Sequence, residues 1–171
     1  MNIDQRFSRI KSLIVTLVFT FIAALLVLII IFKVDIFRIH GTSMNPTLYN
    51  GNVVVSYKAK KYNRGDIISF HQNDANMIKR IIGLPGDEIN IDEEGNVYVN
   101  KKQIEEKYIL SKDPGDIEVA MPLIVPSNHY FVLGDNRADS IDSRLIKIGC
   151  IKEENIEGKV FISLIPLKKL S

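Results

Sequence analysis

The longest apolar stretch of the chain lies near its N-terminus. Residues 12–32 carry no charged side chain, and their only polar ones are Ser12, Thr16 and Thr20. As an α-helix, 21 residues extend about 31 Å, which is enough to cross the hydrocarbon core of a bilayer. A cleaved signal peptide would have a shorter apolar core and a small-x-small exit site. The sequence Lys33-Val34-Asp35 offers no such site, so the pattern predicts a membrane anchor over residues 12–32.

The charges that flank this segment predict its orientation. Residues 1–11 carry three basic side chains and one acidic one. The more basic flank of a membrane span stays in the cytoplasm. We therefore expect a cytoplasmic tail over residues 1–11, a single-pass anchor in the plasma membrane, and an extracytoplasmic domain over residues 33–171.

Beyond the anchor, the apolar positions fall into short β-branched runs that are separated by Gly, Pro and Asn. Such runs with such punctuation predict strands. The predicted strands cover residues 52–57, 66–70, 77–82, 88–91, 97–100, 129–133 and 159–163. The runs 88–91 and 97–100 predict a hairpin, whereas the charged segment 101–116 predicts a loop or small excursion. The expected domain is mostly β, a folded-over antiparallel sheet of sandwich or barrel type.

Composition excludes several classes of function. The chain has 22 basic and 20 acidic residues. Three of the basic residues and one of the acidic residues precede the apolar segment, so 19 of each kind follow it. A balanced domain has no electrostatic footprint for nucleic acid. Cys150 is the only cysteine, so no intramolecular disulfide forms, and we expect it to be a small buried apolar group. No Cys/His cluster has the spacing of a zinc site, and no metal or cofactor is expected.

A serine and a lysine are the candidate reactive pair. Ser43 lies in a turn-rich segment eleven residues after the apolar run, but a serine hydroxyl needs a base to become a nucleophile. The three histidines are scattered singly. Lys79 lies in an apolar stretch and could act as base if burial lowered its pKa by about 3 units, a bias of about 4 kcal/mol. The alternative is that Lys79 reaches solvent from an edge strand, and pattern alone favours that alternative because lysines are seldom buried.

Four segments resemble bacterial type I signal peptidases of the peptidase S26 type, in their short Gram-positive form. They are Gly41–Leu48, Arg64–Phe70, Lys79–Asp87 and Gly134–Arg144. Their order behind an N-terminal anchor is that of the family, whereas one serine motif alone would be a weak signal. The resemblance implies a membrane-bound Ser/Lys endopeptidase that removes signal peptides from exported proteins after a small-x-small motif. Its expected partners are these signal peptides and the phospholipid membrane; the oligomeric state is left open.

The resemblance also implies roles for individual residues. Ser43 would be the nucleophile and Lys79 the general base, with the Ser140 hydroxyl orienting the lysine. Asp142 and Arg144 would support the site, and Met44 would line the substrate cleft. Asp135 and Asn136 belong to the same loop as the supporting pair.

The sequence departs from some relatives at one position. They carry a serine two positions before the nucleophile as a second oxyanion donor, and this chain has Gly41 there. The backbone N–H of Ser43 can still donate. A tightened turn at Gly41 or the hydroxyl of Thr42 could compensate, and the sequence does not choose between them.

Two other functions fit part of the pattern. A tethered β domain of the same fold could bind peptides without cutting them, although it would have no need of both Ser43 and Lys79. A self-cleaving Ser/Lys regulator of the repressor type would carry a DNA-binding module in place of the anchor. Turnover of a separate signal-peptide substrate distinguishes all three.

Overall fold

The computed structural model describes residues 3–32 and 34–170. The chain divides into two units, Met1–Val34 and Asp35–Ser171. The first contains one α-helix, α1, Ile3–Phe32. Within it, Arg9–Ile29 has a mean hydropathy of 2.9 and no buried residue, and it is the one helix in the described part of the chain that is long and apolar enough to cross a membrane.

Both threonine hydroxyls on this apolar helix are satisfied within it. Thr16 Oγ1 donates to Ser12 O at 2.9 Å, and Thr20 Oγ1 donates to Leu17 O at 2.9 Å. A polar group that is satisfied inside its own helix is tolerated in hydrocarbon. The polar residues therefore do not disqualify the segment as a membrane span.

The second unit is built from antiparallel strands. The strands are β1 Val34–Arg38, β2 Val53–Tyr57, β3 Ile67–Gln72, β4 Ala75–Gly83, β5 Glu88–Ile91, β6 Val97–Val99, β7 Lys102–Gln103, β8 Leu123–Ile124, β9 His129–Leu133, β10 Ile151–Lys152, β11 Ile156–Ile165 and β12 Leu167–Lys169. The larger sheet has the order β1-β2-β11-β3-β4-β9-β10, with β12 added to β11, and the smaller has the order β7-β6-β5-β8. Two 3-10 turns, Arg137–Asp139 and Glu153–Asn155, lie between strands.

The predicted β class is confirmed, and each predicted strand has a counterpart. The predicted hairpin is also present, with Ile89 opposite Val99 and Ile91 opposite Val97. Five strands were not predicted, namely β1, β7, β8, β10 and β12. Four of these are only two or three residues long, and β1 has three exposed residues of five, so neither length nor alternation marks them.

Three apolar clusters hold the second unit together. One of them joins the two sheets, because Ile82 of β4 and Phe131 of β9 share it with Ile89 of β5. Gly83 lies at this contact, where a β-carbon would come within 2.8 Å of Ile89 Cδ1. A larger residue there would separate the sheets, which explains the glycine after the apolar run of β4.

Strand β4 has two different edges. It pairs with β3 over its length, from Ala75 opposite Gln72 to Arg80 opposite Ile67. Its pairing with β9 begins only at Arg80, which lies opposite Leu133. The first half of β4 therefore has one paired edge and one open edge.

Candidate active site

Ser43 and Lys79 meet although 36 residues separate them. Ser43 lies in the turn after β1, and Lys79 lies on β4, opposite Ile68 of β3. The lysine Nζ donates a hydrogen bond of 2.7 Å to Ser43 Oγ. When the amine is neutral, the same contact lets the hydroxyl donate to Nζ, which is the geometry that a general base needs.

Lys79 is buried. It is 4% exposed, so the alternative in which it reaches solvent from an edge strand is wrong. Burial lowers the pKa of Lys79 from its ordinary 10.5 to about 8. The nearby carboxylates of Asp142 and Asp135 act in the opposite direction, since a negative charge favours the ammonium. The amine is thus much easier to deprotonate than an exposed lysine.

The turn that carries Ser43 is tied to the loop 134–144. Asn136 N donates to Ser43 O at 2.9 Å, and Asn136 Nδ2 donates to Thr42 O at 3.3 Å. Gly134 is needed at this junction, because a β-carbon there would lie 2.6 Å from Ser43 O and would also strike the Ser140 side chain. The two segments therefore form one unit around the nucleophile.

Asp142 and Arg144 form a buried ion pair beside this unit. Arg144 Nε and Nη2 donate to the two Asp142 carboxylate oxygens at 2.8 and 2.9 Å. Asp142 Oδ2 also accepts from Gly134 N at 3.0 Å, while Arg144 Nη1 donates to Pro114 O at 2.8 Å. The pair thereby joins the loop to the segment around Pro114, in line with the supporting role that the resemblance implies.

A cleft of about 830 Å³ opens at Ser43 and Lys79. Its other walls come from β1, from the open edge of β4 and from the loop that contains Asp139 and Ile141. Met44 lines the cleft and is 2% exposed, since it also packs in the core with Leu48. A hydroxyl and a buried amine in a long cleft are the parts of a serine hydrolase of the Ser/Lys kind.

Comparison with known proteins identifies the family of the chain. A model of the family described as signal peptidase, peptidase S26, matches residues 10–165. The chain belongs to this family. The predicted family is thereby confirmed, and with it the class of enzyme, a membrane-anchored serine peptidase that removes signal peptides.

Individual relatives cover most of the chain. The signal peptidase I of Bacillus licheniformis is 32% identical, over 98% of this chain and 92% of its own. Signal peptidase I U of Bacillus subtilis is 36% identical, over 95% and 91%. A probable signal peptidase I-2 of Synechocystis is 39% identical over 77% of this chain, and the match covers 63% of that protein. A crystal structure of a signal peptidase I from Enterococcus faecalis V583 is 34% identical, with a TM-score of 0.48, over 58% of this chain and 97% of that one.

Ser140 lacks the contact with Lys79 that the resemblance implies, and the Thr42 hydroxyl, one of the two open candidates for the second oxyanion donor, is engaged elsewhere. Ser140 Oγ is buried next to Gly134 and has no hydrogen-bond partner among the described residues, so no bond joins it to Lys79. The Thr42 hydroxyl donates to the Asp139 carboxylate and is not turned toward Ser43. Gly41 has a φ of +87°, a conformation that a serine there would adopt only with strain. The glycine therefore belongs to the shape of this turn.

A second buried ion pair lies next to Lys79 and was not predicted. Arg80 Nε and Nη2 donate to the Asp135 carboxylate at 2.8 and 2.6 Å, and Arg80 Nη1 donates to Gly65 O at 2.8 Å. The two residues are 4% and 1% exposed. Their separation of 55 residues leaves no local signal of pairing in the sequence.

Of the other candidate groups, His40 lines the same cleft as Ser43, whereas His71, His129 and Cys150 do not. No histidine in the described part of the chain forms a hydrogen bond with Ser43; His71 and His129 bond to Asn76 Oδ1 and Ser127 O. Cys150 packs against the cluster between the sheets. Burial raises the pKa of its thiol to about 11, so the thiol is protonated at neutral pH.

Proposed function

We propose that Ser43 and Lys79 are the nucleophile and general base with which this enzyme removes signal peptides from exported proteins. The single observation that carries the assignment is the 2.7 Å contact between Ser43 Oγ and the Nζ of a lysine that is 4% exposed. A lysine is a base only when burial keeps it neutral, and a serine is a nucleophile only when a base touches it.

The reaction proceeds through an acyl-enzyme. Neutral Lys79 takes the proton of Ser43 Oγ as the oxygen attacks the scissile carbonyl carbon. The resulting lysinium protonates the amine of the leaving mature protein, and the signal peptide stays bound to Ser43 as an ester. Water then attacks this ester while Lys79 removes its proton, and collapse of the second intermediate returns the hydrogen to Ser43.

The Ser43 backbone N–H is the oxyanion donor in this mechanism. No described residue accepts a hydrogen bond from it, so it is available to a developing negative charge. The two nearest alternatives are engaged: the Thr42 hydroxyl donates to Asp139, and Gly41 N donates to Asn50 Oδ1 at 3.2 Å. One preorganised donor of this kind contributes about 3 kcal/mol to transition-state stabilisation.

The open edge of β4 binds the substrate as an added strand. Ile81 N donates to Asp66 O on the β3 side at 2.9 Å. Because the hydrogen-bonding direction alternates along an antiparallel strand, Ile78 and Asn76 direct their backbone groups to the open edge. Both residues line the cleft. An extended peptide that pairs with this edge is held by backbone hydrogen bonds, which do not depend on its sequence. In this pose its scissile carbonyl faces Ser43.

Side-chain selection follows from the same pose. In an extended peptide the first and third residues before the cut project to one face. Ile39, Met44 and Ile78 are among the apolar residues that line the cleft with Ser43. We expect small residues at both positions, which is the small-x-small preference that the resemblance implies.

The topology of the enzyme follows from its flanking charge. Residues 1–11 lie in the cytoplasm, residues 12–32 cross the plasma membrane once, and residues 33–171 form the extracytoplasmic catalytic domain. Arg9 and Lys11 precede the apolar segment and support this orientation.

The experiment that tests the proposal is cleavage of a purified preprotein by the full chain in detergent. We expect Ser43→Ala to abolish turnover while the melting temperature stays within a few degrees of the parent. Ser127→Ala removes an exposed hydroxyl outside the cleft and is the matched control, with unchanged activity. Cleavage by the Ser43→Ala variant would overturn the assignment.

A further inference from the structure

The segment that joins β7 to β8 in the smaller sheet contains two side chains that its charged sequence does not lead one to expect in the interior. The Glu106 side chain is 4% exposed, and burial, with the neighbouring Glu106 charge, raises the pKa of Tyr108 far above its ordinary value. Tyr108 Oη donates to Glu106 Oε1 at 2.6 Å. The two residues thus form a partly buried acid–phenol pair.

Each member of this pair contacts an arginine of the site. The Tyr108 ring lies against the Arg80 guanidinium, with 4.1 Å from Cζ to the ring centroid, which is a cation–π distance. The Glu106 carboxylate accepts two hydrogen bonds from Arg137, one of them 3.0 Å from Nη1. Arg137 Nε in turn donates to Gly134 O at 3.0 Å.

We propose that Tyr108 and Glu106 are positioning residues for catalysis, which hold Arg80 and Arg137 and through them the strand of Lys79 and the loop of Asp135. The proposal rests on the proposed function of Ser43 and Lys79. Arg80 follows Lys79 directly on β4, and Asp135 follows Gly134 directly in the loop tied to Ser43. A shift of Arg80 therefore reaches Lys79 through one peptide unit, and a shift of Arg137 reaches Ser43 through the loop, where Asn136 N donates to Ser43 O.

Loss of the Tyr108 ring should also change the charge balance at Lys79. Four charged groups act on the amine: Asp142, Asp135 and Asp139 favour the ammonium, and Arg144 opposes it. The guanidinium of Arg80 neutralises Asp135 and the ring keeps water from that pair. If Arg80 is released, Asp135 acts on Lys79 without compensation and water reaches the amine. Both effects raise the pKa of Lys79, so the acid limb of the pH–rate profile moves to higher pH.

The experiment compares three variants of the full chain in detergent on one signal-peptide substrate. Tyr108→Leu removes the ring, and Tyr108→Phe keeps the ring but removes the bond to Glu106. Tyr98→Leu is the matched control, because Tyr98 also donates to a carboxylate, Asp92 at 3.0 Å, on the smaller sheet. Displacement of a reacting group by about 1 Å lowers turnover about 100-fold, and we expect a 10- to 100-fold loss of kcat for Tyr108→Leu.

For Tyr108→Leu, the KM should stay within about twofold of the parent's, and the acid limb of the pH–rate profile should move to higher pH by roughly half a unit. Tyr108→Phe should keep kcat within about threefold, and Tyr98→Leu should keep both kcat and the pH profile. An unchanged kcat in Tyr108→Leu would overturn the proposal. So would a loss of kcat that is fully explained by a smaller folded fraction while the acid limb of the pH–rate profile stays where it is in the parent. If Tyr108→Leu does not fold, Tyr108→Met, which fills the space without a ring face, is measured in the same way. A parent enzyme that does not cleave would instead refute the proposed function.

Discussion

Replacement of Lys79 by methionine should give an inactive enzyme that is more stable than its parent at neutral pH. Burial lowers the pKa of Lys79 from 10.5 to about 8. At about 1.4 kcal/mol per pH unit, a fall of that size corresponds to about 3 kcal/mol of folding free energy. The sign follows from proton counting, because between the two pKa values the unfolded chain holds a proton that the folded chain lacks.

The stability of the parent should therefore fall as the pH drops from about 10.5 to about 8 and level off below that. Methionine fills a similar volume without the charge, but it loses the hydrogen bond to Ser43, which contributes about 1 kcal/mol. The net gain at pH 7 is about 2 kcal/mol, or roughly 4–8 °C in melting temperature. This difference between variant and parent should shrink as the pH rises and should change sign before pH 10.5, because near that pH only the loss of the hydrogen bond to Ser43 remains.

The assay is thermal melting of both full-length proteins in detergent at several pH values from 6 to 10, together with cleavage of a preprotein. Parent activity should decline about tenfold per pH unit below the Lys79 pKa of about 8, because the ammonium is no base. Lys79→Arg should be inactive and less stable than the parent, since a guanidinium cannot lose its proton. Cleavage by Lys79→Met, or a melting difference that is the same at every pH, would refute the reasoning.

Three further predictions concern topology, specificity and the second ion pair. Protease added to intact protoplasts should degrade residues 33–171, because the proposed orientation places them outside; full protection would contradict that orientation. A preprotein series with Ala, Leu or Phe at the first or third position before the cut should be cleaved well only with Ala, and equal kcat/KM for all three would exclude shallow pockets. Asp135→Asn should lower stability by about 3–5 kcal/mol, since it leaves Arg80 buried without a carboxylate. In the same melting experiment the exposed Asp116→Asn should have little effect, and equal losses would show that the buried pair is not special.

The sequence predicted the parts of this enzyme that depend on local patterns. The apolar run, the β-branched strands and the hairpin over residues 88–100 all have periodicity or turn chemistry that can be read along the chain. The pairing of Ser43 with Lys79 came from the resemblance, because pattern alone favoured an exposed lysine. Burial of Lys79 depends on how β4 is covered, which no local pattern encodes.

What the sequence could not predict were contacts between distant polar residues. In the sequence, nothing distinguishes Arg80 and Asp135 from other charged residues. In the structure, β4 and the loop after β9 bring Arg80 Nε to 2.8 Å from Asp135 Oδ1. Thr42 is a candidate oxyanion donor in the sequence, but in the structure its hydroxyl donates to Asp139, which lies 97 residues later. Tyr108 lies in a segment whose charges predict a loop or small excursion, and no local pattern indicates the contact of its ring with Arg80.

The open edge of β4 has a consequence for solubility. An unpaired strand edge is a template on which other chains can add and aggregate, and most proteins cover or charge such edges. Here the edge borders a cleft that β1 also lines, with the charged residues Asp35 and Arg38. Charged side chains beside a strand edge disfavour the addition of another chain's strand. We therefore expect the charges of β1 to limit self-association through the open edge of β4.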